Sequence, residues 1–269
     1  MKVVLFCGGL GMRLRDYSDK IPKPMVEIGY RPILWHVMKY YAAHGHKDFV
    51  LCLGYKADVI KRYFVNYDEF LSNDFVMRGD DKGVDLLHRD IHDWNITFVD
   101  TGYASSIGER LRLVKEHLQG EEMFLANYSD NLTDFHLPDL VQRMEASNHV
   151  AGFLAVKPPH SFHVTEFDSD QRVTRIQETR SADMWINGGY FCLRGEIFDY
   201  MERGRGARHR ALLAPSRGAT SAGHALRGVL AEHGHVQGPL DAERDARARR
   251  GSLADLEPPL GLRRSDWKG

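Results

Sequence analysis

Apolar and polar positions along this chain alternate between two rhythms. Lys2-Val3-Val4-Leu5-Phe6-Cys7 is an unbroken apolar run, rich in β-branched residues, that stops at the cluster Gly8-Gly9-Leu10-Gly11. Such a run predicts a buried strand that breaks into a loop. From Pro32 the spacing changes: Ile33, Leu34, Val37, Met38 and Tyr41 fall on one face of a helix that Gly45 closes. Asp48 to Leu53 is again strand-like, and Ala57 to Phe64 is helical, with Val59, Ile60, Tyr63 and Phe64 inward. Strand and helix in alternation predict βαβ units and a mainly parallel sheet.

Between Asn66 and Asp93 the pattern loosens into a polar, acidic surface excursion. The sheet resumes at Asn95-Ile96-Thr97-Phe98-Val99-Asp100, followed by a turn at 107–111 and a helix marked by Leu111, Val114 and Leu118. Met123 to Tyr128 is the next strand, ending at Ser129-Asp130-Asn131. Then come a strand over 150–156, a hairpin of 164–167 with 172–176, a strand over Trp185 to Leu193, and a helix starting at Gly195. After Arg203 arginine, alanine, glycine and histidine take over and neither rhythm persists, so no element is assigned there. The expected organisation is an α/β core over 1–203, a mainly parallel mixed sheet flanked by helices, and an anomalous, poorly ordered tail over 204–269.

Composition narrows the chemistry little. A net charge of -1 exerts no global pull on nucleic acid or membrane, so any partner has to be argued from a site. Cys7, Cys52 and Cys192 lie far apart without metal spacing, which fits reduced core thiols. The fourteen histidines show no pairing with carboxylates at ligand spacing and are expected on the surface. The glycines arrive too early for a signal-peptide core, and no apolar run reaches membrane-spanning length, so the expected setting is cytoplasmic.

The opening loop is the first candidate site. Successive glycines let backbone N–H groups converge on an anion, with Arg13 and Lys23 adding positive charge. Pro22 and Pro24 are expected to hold Lys23 on a stiff, extended segment. The loop lacks the Gly-Lys-Ser/Thr of a Walker A loop and the spacing of a dinucleotide fingerprint. An ordinary glycine-rich turn with surface cations is the competing reading. Ligands of open parallel sheets gather at the carboxyl ends of strands, where this loop and Asp130 both fall. Asp130 has a rival role as a cap, Asn187-Gly188-Gly189 as a bulge, and Arg110, which is not counted among the site residues, as a solvated residue at a helix start.

Taken in order, Gly8 to Leu14, Pro22 to Met25, Arg31 to His36, Gly54-Tyr55-Lys56, Val99 to Gly102 with Gly108 and Arg110-Leu111, Tyr128-Ser129-Asp130 and Ile186 to Gly189 resemble the sugar-1-phosphate nucleotidyltransferases. The likeness runs from Met1 to about Glu202 and is nearest to their glucose-1-phosphate cytidylyltransferase branch. It implies a Rossmann-like nucleotidyltransferase fold and transfer of a nucleotidyl group from CTP to glucose 1-phosphate, releasing pyrophosphate. It also implies Mg²⁺ as cofactor, held by Asp130, and room for a homo-oligomer. Arg13, Lys23 and Asp130 are the implied catalytic residues, with Gly8, Gly9, Gly11, Arg13 and Gly108 on the nucleotide and Asn187, Gly188 and Gly189 on the sugar phosphate. Another triphosphate or hexose 1-phosphate, or a nucleotide-binding module without catalysis, are the alternatives. The chain departs from the family at Asn131, where a glycine is usual, and at Gln177-Glu178-Thr179-Arg180, where relatives have Glu-Lys-Pro.

The tail departs further, since the family's Gly-Phe-Trp-x-x-Met-Asp-Thr, whose aspartate is a second metal ligand, is missing. Legitimate codons for Gly228 to Gly238, read one base out of frame, spell Gly-Phe-Trp-Arg-Ser-Met-Asp-Thr-Phe-Lys. The same shift over Gly204 to Leu213 spells another family-like stretch. One extra base near Arg203 accounts for both, and it puts the codon of the missing aspartate across Gly234 and His235. The expected consequence is impaired activity.

Overall fold

The computed structural model describes residues 1–8, 21–80, 83–158, 163–179, 185–201, 229–234 and 236–237. In chain order the strands and helices are β1 (Val3–Phe6), β2 (Glu27–Ile28), β3 (Arg31–Pro32), α1 (Ile33–Ala43), β4 (Asp48–Leu53) and α2 (Ala57–Val65). Then follow β5 (Phe75–Met77), β6 (Val84–Leu86), β7 (Asn95–Asp100), α3 (Ile107–Leu113), β8 (Met123–Asn127), β9 (Leu132–Thr133) and α4 (Leu137–Glu145). The last are β10 (Ala151–Val156), β11 (His163–Phe167), β12 (Val173–Glu178), β13 (Ile186–Arg194), β14 (Val229–Gly234) and β15 (Val236–Gln237). Seven strands form the central sheet in the order β14-β10-β13-β8-β1-β4-β7.

β1 pairs parallel with β4 and β8, and β4 parallel with β7. The exception is β13, antiparallel to both β8 and β10. Its start therefore lies at the end of the sheet where β1, β4, β7, β8 and β10 finish. Val3 and Leu5 face a core layer with α1, α2 and α4, whereas Val4 and Phe6 face a second layer with Leu111, Val114 and Leu118. A strand covered on both faces needs apolar residues at every position, which is why the first run shows no alternation. Each such Leu or Val contributes on the order of 2 kcal/mol by burial.

α1 buries the expected residues together with Trp35 and Ala42, and Gly45 ends it at φ +84°. The turn expected at 107–111 is instead the first part of α3, held by a capping box: the Ser106 hydroxyl accepts the Glu109 N–H, and the Glu109 carboxylate accepts the Ser106 N–H. The stretch left unassigned at 132–149 holds β9 and α4, which buries Leu137, Leu140 and Met144. The helix expected from Gly195 is a 3-10 turn over Gly195–Tyr200, closed by a Met201 N–H to Phe198 carbonyl bond of 3.4 Å that spans three residues.

The tail, expected to add nothing regular, adds two strands. β14 pairs parallel with β10 from Ala151↔Val229 to Val156↔Gly234, and β15 pairs with β9. Backbone ladders use groups common to every residue, so they form without a side-chain rhythm. The remainder of 204–269 lies outside the described residues. No helix among the described residues is long and apolar enough to cross a membrane.

Candidate functional site

Where β1, β4 and β7 finish, one buried side chain ties their ends together. Arg110, on the first turns of α3, is 3% exposed. Its guanidinium donates to the Gly8 carbonyl at 2.5 Å, the Leu53 carbonyl at 3.0 Å, the Thr101 hydroxyl oxygen at 2.7 Å and the Tyr103 carbonyl at 3.4 Å. The alternative of a solvated Arg110 is thereby removed. Its partners are neutral oxygens on three strand ends, and among the described residues no carboxylate forms an ion pair with it. Burial lowers its pKa, while Cys52 and Cys7 pull in the opposite direction. A Cβ added to Gly8 would lie 2.0 Å from the guanidinium, and one added to Gly54 2.8 Å from it. Close approach, with no positive φ at Gly8, is what demands a glycine there.

Cys7 and Cys52 sit beside this clamp as free, buried thiols, and Cys192 is buried and free as well. Burial pushes the Cys7 thiol up to about 12, against a hydrogen bond with Ser129. These are inert core thiols, in keeping with their strand-like settings.

The end of β8 is shaped by Asn127 and Ser129. The Asn127 amide oxygen accepts the Ser129 N–H at 2.6 Å, and the Ser129 hydroxyl donates to the Phe6 carbonyl at 2.9 Å. Ser129 has φ +65°, a left-handed conformation that costs a non-glycine residue about 1–2 kcal/mol. This clamped turn presents Asp130 beyond the sheet. Burial raises the Asp130 carboxyl above the usual aspartate range, and the charge of Lys23 lowers it again. Lys23 opens a 3-10 turn over Lys23–Met25, fixed by the Met25 N–H on the Pro22 carbonyl at 2.8 Å. The extended segment expected around Lys23 is thus interrupted by this turn, with extended backbone only at its flanks, Pro22 (φ -70°, ψ 148°) and Val26 (φ -64°, ψ 126°).

Because β13 is reversed, Asn187, Gly188 and Gly189 reach the same region from the strand's start. The Asn187 amide donates to the Tyr128 hydroxyl at 3.0 Å, and its oxygen accepts the Gly189 N–H at 2.8 Å. Gly189 has φ +84°, and a Cβ there would meet Tyr128 at 2.8 Å. Tyr190 donates to the Asn131 carbonyl at 2.8 Å, which ties β13 to the segment after Asp130.

The structure therefore brings Lys23, Asp130 and Asn187 to Gly189 together, with Gly8 just past the end of the neighbouring β1. Gly108 is buried in the first turn of α3, two residues before Arg110. Gly9, Gly11 and Arg13 lie outside the described residues, as does His235, while Gly234 ends β14 opposite Val156. Among the described residues no group of three or more His, Cys, Asp or Glu could hold a metal ion. Sequence reasoning missed Arg110, Asn127 and Ser129. The Ser106-x-x-Glu109 spacing was the available signal for Arg110, since it starts α3 early enough to turn that side chain inward.

The chain matches the profile described as Nucleotidyl transferase over residues 2–214. It is 40% identical over 203 residues to the glucose-1-phosphate cytidylyltransferase of Salmonella typhi, spanning 75% of this chain and 78% of that one. It is 34% identical over 203 residues to the probable glucose-1-phosphate cytidylyltransferase of Bacillus subtilis, at 76% and 78% coverage. Its fold is similar to that of HddC from Yersinia pseudotuberculosis, with a TM-score of 0.60 at 17% identity over 93% of this chain and 99% of that one. The UTP-bound UGPase of Acinetobacter baumannii also gives 0.60, at 15% identity over 95% and 99%. With a profile match across most of its length and relatives at this identity, the chain belongs to the nucleotidyl transferase family.

Proposed function

We propose that the chain transfers a cytidylyl group from CTP to glucose 1-phosphate, giving CDP-glucose and pyrophosphate. The observation that carries this is the convergence of Lys23, Asp130 and Asn187 to Gly189 at one end of the sheet, beside the loop that starts at Gly8. The two named cytidylyltransferase relatives support the choice of base and sugar. In the reaction a phosphate oxygen of the sugar attacks the α-phosphorus of the triphosphate; a new P–O bond forms there and the bond to the β-phosphate bridge breaks. Such transfers ask the protein mainly for positioning and charge neutralisation.

The roles are those the family resemblance implies for these residues. The loop of Gly8, Gly9 and Gly11 with Arg13 and Gly108 cradles the nucleotide, and Arg13 neutralises the departing pyrophosphate. Lys23, on its stiff turn, offsets charge at the reacting phosphates. Asn187 and the bare backbone of Gly188 and Gly189 meet the hydroxylated ring. The Asp130 carboxylate, half-buried and raised in pKa by burial, suits a hard divalent cation that takes one or two carboxylates and completes its shell with phosphate and water oxygens. Mg²⁺, when bound, supplies neutralisation of the phosphate charge. The free, buried thiols support a reducing, cytoplasmic setting.

A second reading is a nucleotide-binding module with impaired turnover. It is favoured by the tail, where the family's second aspartate is missing and a one-base shift in frame would place its codon across Gly234 and His235. Pyrophosphate release with glucose 1-phosphate, compared across CTP, dTTP, UTP and ATP, tests both. Release with CTP supports the leading reading, and release with another triphosphate overturns the cytidine assignment. CTP binding without release favours the module. Sequencing the coding DNA decides the frame, and removal of one base near Arg203 is expected to raise turnover.

A further inference from the structure

Beyond the ends of β4 and β7 two tyrosine rings meet. Tyr55 follows β4, Tyr103 follows β7, and their rings stand edge to face with centroids 5.9 Å apart. The Lys56 ammonium lies 5.3 Å from the centre of the Tyr55 ring. An edge-to-face contact covers one face of one ring only, and Tyr103 is 55% exposed. Aromatic surface is therefore turned to solvent at this corner of the sheet. The backbone that carries it is fixed. The Thr101 hydroxyl donates to the Leu53 carbonyl at 2.7 Å, Gly102 takes φ +85° with its N–H on the Asp100 carboxylate at 2.9 Å, and the Ser105 hydroxyl donates to the Thr101 carbonyl. The capping box of Ser106 and Glu109 closes the turn from the other side. A side chain on so tied a turn is placed before any ligand arrives, which lowers the cost of ordering it.

Arg110 sets the place of Tyr103 relative to the Gly8 loop. One guanidinium nitrogen donates both to the Gly8 carbonyl at 2.5 Å and to the Tyr103 carbonyl at 3.4 Å, so the two carbonyls are neighbours. The strand order then sorts what lies on each side of Gly8. β8 with Asp130, and beyond it β13 with Asn187, lie to one side of β1; β4 and β7 lie to the other. Adjacent strands are about 4.8 Å apart, so the tyrosines stand one and two strand spacings from Gly8, on the side away from Asp130. A ribose and a planar base extending from phosphates held at the Gly8 loop reach that distance.

We propose that Tyr103, buttressed by Tyr55, is the stacking wall for the nucleobase of the triphosphate, an inference that rests on the nucleotidyl transfer proposed above. A ring face meets every base alike. Tyr103 therefore supplies affinity without choosing among bases, and the choice falls to groups that meet the edge of the base.

Isothermal titration calorimetry on the full chain tests this, with CTP, UTP and ATP and with inorganic tripolyphosphate, a probe that has the phosphates and no base. Tyr103→Ala is expected to weaken each nucleotide the wild type binds by about tenfold or more, and to leave tripolyphosphate within about twofold of the wild type. Tyr103→Phe keeps the ring face and is expected to bind the nucleotides as the wild type does. If alanine also weakens tripolyphosphate, the turn itself has moved, and Tyr103→Leu, which keeps bulk without a π-face, gives the readout. A leucine variant that binds the nucleotides as tightly as the wild type, or that loses tripolyphosphate by the same factor, overturns the wall while CTP binding by the wild type leaves the proposed function standing. A wild type that binds none of the nucleotides overturns the proposed function and the wall with it.

Discussion

Replacing Gly8 with alanine puts a methyl group where the Arg110 guanidinium lies. The new Cβ would sit 2.0 Å from one terminal nitrogen, 2.3 Å from the central carbon and 2.7 Å from the other nitrogen. Ordinary contact begins near 3.4 Å, so the guanidinium has to withdraw by more than an ångström. It then loses its bonds of 2.5 Å to Gly8, 3.0 Å to Leu53 and 2.7 Å to Thr101. Each buried acceptor left bare costs about 1–3 kcal/mol, and partial repair by water brings the expected total to about 3–5 kcal/mol. In a domain of this size that corresponds to a fall in Tm of roughly 10 °C. Thermal denaturation followed by circular dichroism measures it, and CTP titration reads the accompanying loss of affinity at the loop. Arg110→Met provides the control: with the cation gone, Gly8→Ala is expected to cost less than about 1 kcal/mol more, a coupling of at least 2 kcal/mol. Strict additivity of the two changes, or a Gly8→Ala protein as stable as the wild type, refutes the reasoning.

Asp130→Asn is expected to abolish pyrophosphate release while raising Tm at neutral pH. The folded-state pKa of Asp130 lies above its unfolded value of about 3.9, so ionisation disfavours the native state as pH rises through the folded value. Scanning fluorimetry should find the two proteins converging below about pH 4, where both side chains are neutral. Asp90 has the opposite sign: burial raises its pKa, but Lys39, Ser72 and Tyr67 together bring it below the ordinary value. Its contribution is present above the unfolded pKa and lost as acid protonates it, so urea midpoints should fall more steeply below about pH 4 in the wild type than in Asp90→Asn. Ser129→Ala loses the bond to Phe6 and keeps the left-handed strain, whereas Ser129→Gly loses the bond and relieves the strain; chemical denaturation should rank alanine about 1 kcal/mol less stable. Gly189→Ala, at φ +84° and against Tyr128, is expected to raise KM for glucose 1-phosphate more than KM for CTP in steady-state assays.

Runs such as Val3–Phe6 and Asp48–Leu53 are legible because a strand covered on both faces leaves no position for a polar residue. Asn95–Asp100 is legible for its β-branched content, although it lies at the sheet edge. Asp130, Lys23 and Asn187 were picked out through their order along the chain; the place of Asp130 follows once β1 and β8 are parallel, whereas that of Asn187 depends on the reversal of β13, which the sequence does not announce. The inward turn of Arg110 was legible only through the Ser106-x-x-Glu109 spacing that starts α3, and its partners, carbonyls on strands distant in sequence, were not. Asn127 reads as one more residue of a buried strand, and only its bond to the Ser129 N–H reveals what it holds. The helix at Leu137–Glu145 follows a short polar stretch and opens with Leu137-Pro138, a weak signal beside the apolar strands on either side.

The reversal of β13 separates two things that a wholly parallel sheet would link. Gly8, first of the proposed nucleotide residues, follows the end of β1, whereas Asn187 to Gly189 lie at the beginning of β13, preceded in the chain by the β11–β12 hairpin. Insertions, deletions or substitutions ahead of Ile186 therefore reshape the start of β13 without moving the strand ends that Arg110 binds. Under the proposed function, a lineage with this architecture can exchange one sugar for another by rewriting a single connection, while the strand ends held by Arg110 stay as they are.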